Sequence, residues 1–429
     1  MTNNSPYIPG ITVRDPAMFF GRADELAQLT DAIRKGSSKA VVGLRRIGKS
    51  SLLYHLTHHT NLPDHIAIVY LDLLDANYHT APGLLGGIWC GLQQATGRGD
   101  TPPAAPDMAA FTSAIRQMKA DGYQPVVCLD ELERLMSHPQ IFDRDFFEAW
   151  RSLGSMGDLA FVTASRARLS DVVRHNGNTS PFTNIFTQLT LRGLEENAAR
   201  ALLTQPFRAA NRPAPPDSHI EYALLLIGRH PFFLQIAGDT LWRVGGINRE
   251  QFRQQIAAAA RQPTEQLWRD LSPTEQAAAL RLATGKGATP NWAQEKAKLL
   301  ETGLAEPTLT DNPRLFSDLL TDWLRQGAFR QTPALRPLSG AAAEPPILQP
   351  TSAPPARPIY ASALIFLVGL AVIALLAQWL GWAVWLIPLV LAIYLAFVLV
   401  GDNKITGRDF LDMLDKWLRD LRPNKPGTS

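Results

Sequence analysis

A short pattern near the N-terminus contains the residue types that bind phosphate groups. Residues 43–50 read GLRRIGKS and match the pattern GxxxxGK[ST], between an apolar run at 39–42 and a segment of helical character from Ser51. In this context glycines let backbone N–H groups surround phosphates, Lys49 reaches the β and γ oxygens, and the Ser50 hydroxyl is a ligand for Mg²⁺. The pattern predicts a phosphate-binding loop, or P-loop.

The residues of this loop expected to contact the nucleotide are Gly43, Arg45, Arg46, Ile47, Gly48, Lys49, Ser50 and Ser51. For Arg45 and Arg46 the pattern leaves three roles open, which are contact with the nucleotide, contact with a partner surface, and a solvated position in the loop.

Two carboxylates follow a second apolar run about 80 residues downstream. Residues 125–129 read PVVCL and lead into Asp130 and Glu131, which is a Walker B pattern. Asp130 is expected to hold Mg²⁺ with Ser50, and Glu131 is placed to polarise the attacking water as a general base. Together with the P-loop, these carboxylates predict hydrolysis of a nucleoside triphosphate, in which Lys49 and Glu131 are the catalytic residues.

A third apolar run, residues 159–163, leads into Ala164, Ser165 and Arg166. A strand beside a Walker B strand usually presents a polar side chain to the γ-phosphate, so Thr163 or Ser165 is the candidate sensor. Arg166 either assists the sensor residue at the γ-phosphate or lies on the surface without a role at the site. With a further apolar run at 66–72, the chain alternates strands and helices, which predicts an α/β fold with a parallel sheet covered on both faces.

Length and composition restrict the classes of protein. A chain of 429 residues predicts two to three folded units. The balance of 42 Lys and Arg against 39 Asp and Glu gives a net charge of +3, so no nucleic-acid partner is expected. Cys90 and Cys128 lie in apolar stretches, as reduced buried thiols do, and the polar residues 1–10 lack the features of an export signal. The main body is therefore expected in the cytoplasm.

A long apolar run near the C-terminus predicts contact with a lipid bilayer. Residues 359–401 contain no Asp, Glu, Lys or Arg and are long enough for two membrane-spanning helices, 360–378 and 382–400, with a turn at Gly381. Positive residues flank this hairpin at both ends, which places both termini on the cytoplasmic side of the plasma (inner) membrane. The chain is thus predicted to be a multi-pass membrane protein.

Two further segments flank the hairpin. Residues 332–358 are rich in proline and predict an extended linker. Residues 402–429 are predicted to be a cytoplasmic tail, and the apolar residues from Phe410 to Leu421 lie on one face of a helix. That face packs either against the membrane interface or against another helix.

Several of these motifs together resemble a known family. Phe20 to Leu26, FGRADEL, resembles the FxGRxxEL box of the STAND and archaeal-type ATPases of the AAA+ superfamily, and residues 230–235, HPFFLQ, resemble the HPxxLQ start of a lid helix there. The resemblance implies that ATP with Mg²⁺ is the ligand and that Arg22 helps to hold the adenine. It also implies that His230 and Pro231 contact the nucleotide, although a histidine before proline at a helix start is often structural.

The resemblance also implies the domain order. A P-loop ATPase domain at 15–192 is followed by a helical lid at 193–262 and a winged-helix-like domain at 263–331. Arg192 and Arg166 are the candidates for an arginine finger. The winged region has no basic cluster of the kind found on a DNA recognition helix, which disfavours a DNA-binding regulator.

Three functions remain open on the sequence. The preferred one is a membrane-anchored STAND-type switch that binds and hydrolyses ATP, forms a homo-oligomer with nucleotide and acts on an unknown protein partner. The second is a membrane-perturbing effector in defence or cell death, gated by nucleotide-driven oligomerisation. The third is a nucleotide-stabilised scaffold with little turnover, which Glu131 disfavours.

Overall fold

The computed structural model describes residues 4–97, 107–166, 169, 181–244, 248–286, 291–308 and 312–327. The predicted linker, membrane hairpin and cytoplasmic tail, residues 332–429, lie outside the described residues. Within the described ranges, no helix combines the length and the apolar character needed to cross a membrane.

A parallel sheet forms the centre of the nucleotide-binding region. Its five strands are β1 (Ser38–Gly43), β2 (Ile66–Asp72), β3 (Gln124–Asp130), β4 (Ala160–Ser165) and β5 (Phe186–Leu191), in the spatial order β2-β3-β4-β1-β5. Every neighbouring pair is parallel, which confirms the predicted sheet. The sequence analysis identified β1 to β4 and missed β5, because the exposed polar side chains Thr187 and Gln188 interrupt its apolar character.

Helices cover both faces of this sheet. They are α1 (Ala23–Arg34), α2 (Lys49–His58), α3 (Ala81–Ala95), α4 (Met108–Ala120), α5 (Glu133–Met136) and α6 (Arg144–Ser155). The side chains of β3 alternate between the two cores, since Val126 and Cys128 belong to one buried cluster and Val127 and Leu129 to the other. Such two-sided burial is what a parallel sheet with helical crossovers requires.

Aspartate side chains fix where two of these helices begin. Asp107 accepts a hydrogen bond from the backbone N–H of Ala110 at 2.7 Å, and Asp143 accepts one from Phe146 at 2.8 Å. Each cap satisfies a backbone donor that has no partner inside the helix.

Four helices follow the sheet, starting in the region predicted to be the lid, and we name these four helices the lid. They are α7 (Glu196–Ala209), α8 (Asp217–Ile227), α9 (Pro231–Val244) and α10 (Arg249–Asp270). The boundary predicted between residues 262 and 263 falls inside α10, and the helix continues through Pro263 to Asp270. A proline removes one backbone donor without necessarily ending a helix. The next residue, Thr264, is buried, and its hydroxyl donates to the carbonyl of Ala260 at 2.8 Å within the same helix.

The last described elements pack against the lid. They are α11 (Pro273–Thr284), α12 (Trp292–Thr302), an antiparallel hairpin of β6 (Ala305–Glu306) and β7 (Arg314–Leu315), and α13 (Asp318–Arg325). Ser272 and Glu275 form a capping box at the start of α11. The Ser317 hydroxyl, before α13, donates to the lid carbonyl of Leu226 at 2.9 Å. The winged-helix assignment of this region stays a prediction.

Gly228 of the lid lies close to the backbone of this C-terminal region. Its φ is +68°, and an added Cβ would lie 1.9 Å from the carbonyl oxygen of Phe316. Gly285 has almost the same φ, +69°, but nothing lies within 4 Å of its added Cβ. A substitution at Gly285 therefore introduces backbone strain alone, whereas the same substitution at Gly228 adds steric overlap to that strain.

We expect Gly228→Ala to lower the free energy of unfolding by about 2–5 kcal/mol, because positive φ and overpacking add, whereas Gly285→Ala should cost only about 1–2 kcal/mol. Urea unfolding of the purified full chain measures both changes. Equal losses in the two variants would contradict the close packing of Phe316 against Gly228.

Candidate functional site

The loop between β1 and α2 has the backbone conformation of a phosphate-binding turn. Gly48 and Arg46 adopt positive φ values of 102° and 62°, so the chain curls before α2 begins at Lys49. The Lys49 Nζ is buried and donates to the carbonyl oxygens of Gly43 and Leu44 at 2.9 and 3.1 Å. Phosphate oxygens at the N-terminus of α2 would compete with these carbonyls for the ammonium group.

Two predicted magnesium ligands lie side by side at the carboxyl edge of the sheet. Asp130 is only 2% exposed, and it accepts hydrogen bonds from the Tyr70 hydroxyl at 3.1 Å and from the backbone N–H of Glu131 at 3.0 Å. Burial raises the pKa of Asp130, and a hydrogen bond from Ser50 opposes that rise. A carboxylate and a hydroxyl oxygen are hard donors of the kind that Mg²⁺ prefers, so these two side chains fit the ion.

Tyr70 is a contact that the sequence analysis missed. It lies on β2, and its position in the sheet is directly opposite Cys128 of β3, two residues before Asp130. No motif marks this tyrosine, so only the pairing of β2 with β3 shows that its hydroxyl reaches the carboxylate.

The candidate general base lies in strained backbone. Glu131 has a φ of +57°, a conformation that costs free energy for any residue with a Cβ. Its Oε2 lies 3.4 Å from the Nη2 of Arg166, and the Nε of Arg166 lies 3.5 Å from the Oε1 of Glu133. Arg166, directly after β4, thus contacts both Glu131 and Glu133, which lie in the segment directly after β3.

Burial and opposing charges compete at Lys49. Burial lowers the pKa of the ammonium group, while the carboxylates of Glu133, Glu131 and Asp130 act in the opposite direction. A bound polyphosphate would add negative charge next to Lys49 and so favour its charged form.

A cavity of about 310 Å³ opens beside the P-loop. Its wall includes Arg45, Arg46, Gly48, Lys49, Ser50 and Ser51 of the loop, together with Ile47, Glu131, Arg166, Arg22 and Pro231. The structure therefore brings most of the predicted site residues around one space. That volume lies within the range of small-ligand pockets.

An N-terminal segment, residues 8–13, forms part of the same wall and was missed by the sequence analysis. The backbone N–H of Ile8 donates to Gln235 of α9 at 3.1 Å, and that of Val13 donates to the Ser51 hydroxyl at 3.0 Å. Tyr7 is buried, and its hydroxyl donates to the carbonyl of Leu202 at 2.9 Å. The apolar residues scattered in this polar stretch were the one signal that it packs against the body.

Arg22 connects three parts of the site. Its Nη2 donates to the carbonyl of Ile47 in the P-loop at 3.1 Å and to that of Arg192 after β5 at 2.8 Å, while its Nη1 pairs with Glu25 at 2.8 Å. The geometry shows Arg22 fixing the loop backbone. Its predicted contact with adenine stays a prediction.

Other predicted residues lie behind the cavity wall. Thr163 is fully buried in β4, and its hydroxyl has no hydrogen-bond partner among the residues that the structure describes. His230 packs against Phe233 and Phe316, with ring centroids 5.2 and 5.7 Å apart, and burial lowers the pKa of His230 to about 3. Gly43 lies under the loop, since an added Cβ would meet the Leu191 carbonyl oxygen at 2.8 Å. The roles assigned to Thr163 and His230 toward nucleotide stay predictions.

The two arginine-finger candidates make contacts within the chain. The Arg192 Nε donates to the carbonyl of Glu301 at 3.4 Å, and Arg166 contacts Glu131 and Glu133 as described above. Both side chains therefore already have intramolecular partners, and a role toward a neighbouring subunit stays a prediction.

Comparisons with known proteins agree with this geometry. Residues 106–287 match the model of the family described as Novel STAND NTPase 2. No curated protein matches the chain. The Walker-type ATPase PABY2304 of Pyrococcus abyssi is similar in structure, with a TM-score of 0.53 and 16% identity over 74% of this chain and 99% of that one.

Two other solved structures match with lower TM-scores. The Aeropyrum pernix ORC2 protein, in ADPNP–ADP complexes, has a TM-score of 0.43 and 14% identity over 76% of this chain and 98% of that one. Drosophila ORC bound to DNA has a TM-score of 0.42 and 13% identity over 72% and 95% of the two chains. The family match over residues 106–287 is to an NTPase family, and the Pyrococcus protein shares the fold of this chain.

The buried His230 predicts a pH dependence of stability. Its pKa is about 3 in the folded chain against 6.5 ordinarily, so the unfolded chain binds the proton first as pH falls. The stabilisation from the neutral ring is therefore complete above pH 6.5 and is lost progressively from there toward pH 3.

We expect wild type to lose about 1 kcal/mol more than His230→Asn between pH 7.5 and pH 5.5, as measured by urea unfolding at both values. Burial also lowers the pKa of His55, so His55→Asn is the control that retains the His230 contribution. The same pH slope in wild type and in His230→Asn would show that His230 is not the group responsible.

Proposed function

We propose that the protein binds ATP with Mg²⁺ and hydrolyses it, and that the bound nucleotide acts as a switch. The observation that carries this proposal is that Lys49, Ser50 and Glu131 line one cavity at the carboxyl edge of a parallel sheet, where Ser50 is hydrogen-bonded to Asp130. Ligands in open α/β sheets bind at this edge.

The residues divide the chemistry among them. The N–H groups at the start of α2 and the Lys49 ammonium bind the phosphate chain. Ser50 and Asp130 would hold Mg²⁺, which neutralises charge on the β- and γ-phosphates. Glu131 orients the attacking water and accepts its proton, while Arg166 at the end of β4 is near enough to Glu131 to compensate the charge of its carboxylate.

Contacts between the P-loop and the lid support the role as a switch. The Arg46 guanidinium carbon lies 4.4 Å from the centre of the Phe232 ring at the start of α9. Arg45 pairs with Asp270 at the end of α10 at 3.2 Å. A nucleotide that shifts this loop would therefore act directly on the lid, and through it on a homo-oligomer interface or a protein partner.

Substitution of the two catalytic residues separates binding from hydrolysis. Lys49→Ala should weaken ATP binding by about 10- to 100-fold, because it removes charge-assisted hydrogen bonds to phosphate. Glu131→Gln should retain binding and lower the hydrolysis rate by about 10²- to 10⁴-fold, because it removes the general base. Equilibrium binding of ATP and steady-state phosphate release measure the two effects.

Two surface variants serve as matched controls. Lys35→Ala breaks an exposed pair with Asp31, and Glu148→Gln breaks pairs on α6, far along the chain from the P-loop. Both should bind and hydrolyse ATP like wild type. Wild-type affinity in Lys49→Ala would rule out the P-loop as the nucleotide site.

We also propose that residues 359–401 anchor the protein in the plasma (inner) membrane, with the ATPase body and both termini in the cytoplasm. What supports this is the sequence, which contains no charged side chain in that run and has positive residues on both sides of it. The proline-rich residues 332–358 would then tether the ATPase body to the bilayer.

A cysteine at the turn tests this topology. In a Cys90→Ser background, Gly381→Cys should react with a membrane-impermeant thiol reagent in intact cells, because the turn faces away from the cytoplasm. The native Cys128 is fully buried and provides little background. Ser429→Cys should react only after lysis, and the reverse labelling pattern would exclude the hairpin.

A further inference from the structure

We propose that Asp270 competes with the nucleotide phosphates for Arg45 and Arg166, and that this competition couples nucleotide binding to the contacts of the lid. The inference rests on the proposed nucleotide site. Asp270 is the last residue of α10, where the lid joins the C-terminal region. No motif includes it, and its role is visible only from the contacts of its carboxylate.

One carboxylate connects two loops of the nucleotide site. The Oδ2 of Asp270 lies 3.2 Å from the Nη1 of Arg45, which belongs to the P-loop. Its Oδ1 lies 3.6 Å from the Nη1 of Arg166, at the end of β4. The Asp270 side chain is 18% exposed and those of Arg45 and Arg166 are 38% and 41% exposed, so the three charges form a partly desolvated network.

Both arginines also face the space that a nucleotide would occupy. Arg45 and Arg166 line the cavity beside Lys49, whereas Asp270 does not. The same guanidinium of Arg166 lies 3.4 Å from Glu131 and 3.5 Å from Glu133. Arg45 and Arg166 are therefore both already paired with carboxylates of the protein.

A terminal phosphate is the stronger competitor for these arginines. It carries more charge than one carboxylate and presents several acceptor oxygens to a guanidinium fork. An exposed ion pair contributes little stability by itself, so the exchange has a small cost. When Arg166 turns to the phosphate, Glu131 loses its partner and Asp270 loses one of its two partners; when Arg45 turns as well, Asp270 loses both.

A short connection joins Asp270 to the C-terminal region, so the loss of its arginine partners can affect that region. Only Leu271 and Ser272 separate Asp270 from α11, and Leu271 is buried in the core that the lid and this region share. Asp270 is thus a positioning residue whose contacts depend on whether Arg45 and Arg166 are bound to phosphate. ATP should have the larger effect, because Arg166 lies beside Glu131, the residue assigned to the water that attacks the γ-phosphate.

Nucleotide affinity of the full-length protein in detergent tests this competition. Asp270→Asn keeps the shape of the side chain and removes its charge, so we expect ATP to bind about 3- to 10-fold more tightly and ADP to change less. Asp270→Glu keeps the charge and should remain close to wild type. Unchanged or weaker ATP binding in Asp270→Asn would overturn the proposal.

Asp322→Asn is the matched control. Asp322 also pairs with an arginine, Arg253, across the contact between the lid and the C-terminal region, but neither residue lines the nucleotide cavity. Its ATP affinity should equal that of wild type. A gain in this control would mean that loosening the lid in general, and not freeing Arg45 and Arg166, tightens binding.

Salt dependence is the second measurement. Salt weakens phosphate binding in both proteins, but in wild type it also screens Asp270 from its two arginines. ATP affinity should therefore fall less steeply with salt in wild type than in Asp270→Asn, and parallel slopes would contradict the competition. Wild-type ATP affinity in Lys49→Ala would refute the proposed nucleotide site. If Lys49→Ala loses ATP binding but Asp270→Asn has the ATP affinity of wild type, only the proposed role of Asp270 is refuted.

Discussion

The parallel pairing of β4 with both β1 and β3 is the constraint on which the candidate site depends. In this register Val42 of β1 lies opposite Ser165, and Leu129 of β3 lies opposite Thr163. The three strands therefore end at the same edge, and each continues into a residue of the site, which are Gly43, Asp130 and Arg166. A shift of one residue in either pairing would turn these side chains to the other face of the sheet.

The lid adds a second set of constraints, and these act on the P-loop itself. Arg22 holds the carbonyl of Ile47, Arg46 lies over Phe232, and Arg45 pairs with Asp270. Basic side chains thus join the loop to the start of the domain, to α9 and to the end of α10. Because few of these contacts are deeply buried, the loop is positioned without being locked, which suits a site that must exchange nucleotide.

The sequence predicts local features well and long-range contacts poorly. The GLRRIGKS and LDE motifs located the loop and the carboxylates because each is a continuous segment whose chemistry depends on neighbouring residues. Tyr70, Asp270 and residues 8–13 reach the site only through folding, across 60 residues between Tyr70 and Asp130 and 225 between Arg45 and Asp270. The strand β5 was missed because the exposed Thr187 and Gln188 interrupt its apolar pattern, and its pairing with β1 is a long-range contact. The helix α10 continues through Pro263 because tertiary packing outweighs the low helix propensity of proline.

The charges at the site give a physical reason for the proposed link between nucleotide binding and conformation. Burial raises the pKa of Asp130 and lowers that of Lys49, so without ligand each ionised group is held where its charge is poorly solvated. Hydrogen bonds from Ser50 and Tyr70, and from Lys49 to two carbonyls, compensate only part of this cost. In the proposed function, polyphosphate and a divalent cation would supply opposite charges together. The fold places these buried charges next to the residues that connect the P-loop to the lid, and their neutralisation is the step through which the proposed nucleotide would change the lid contacts.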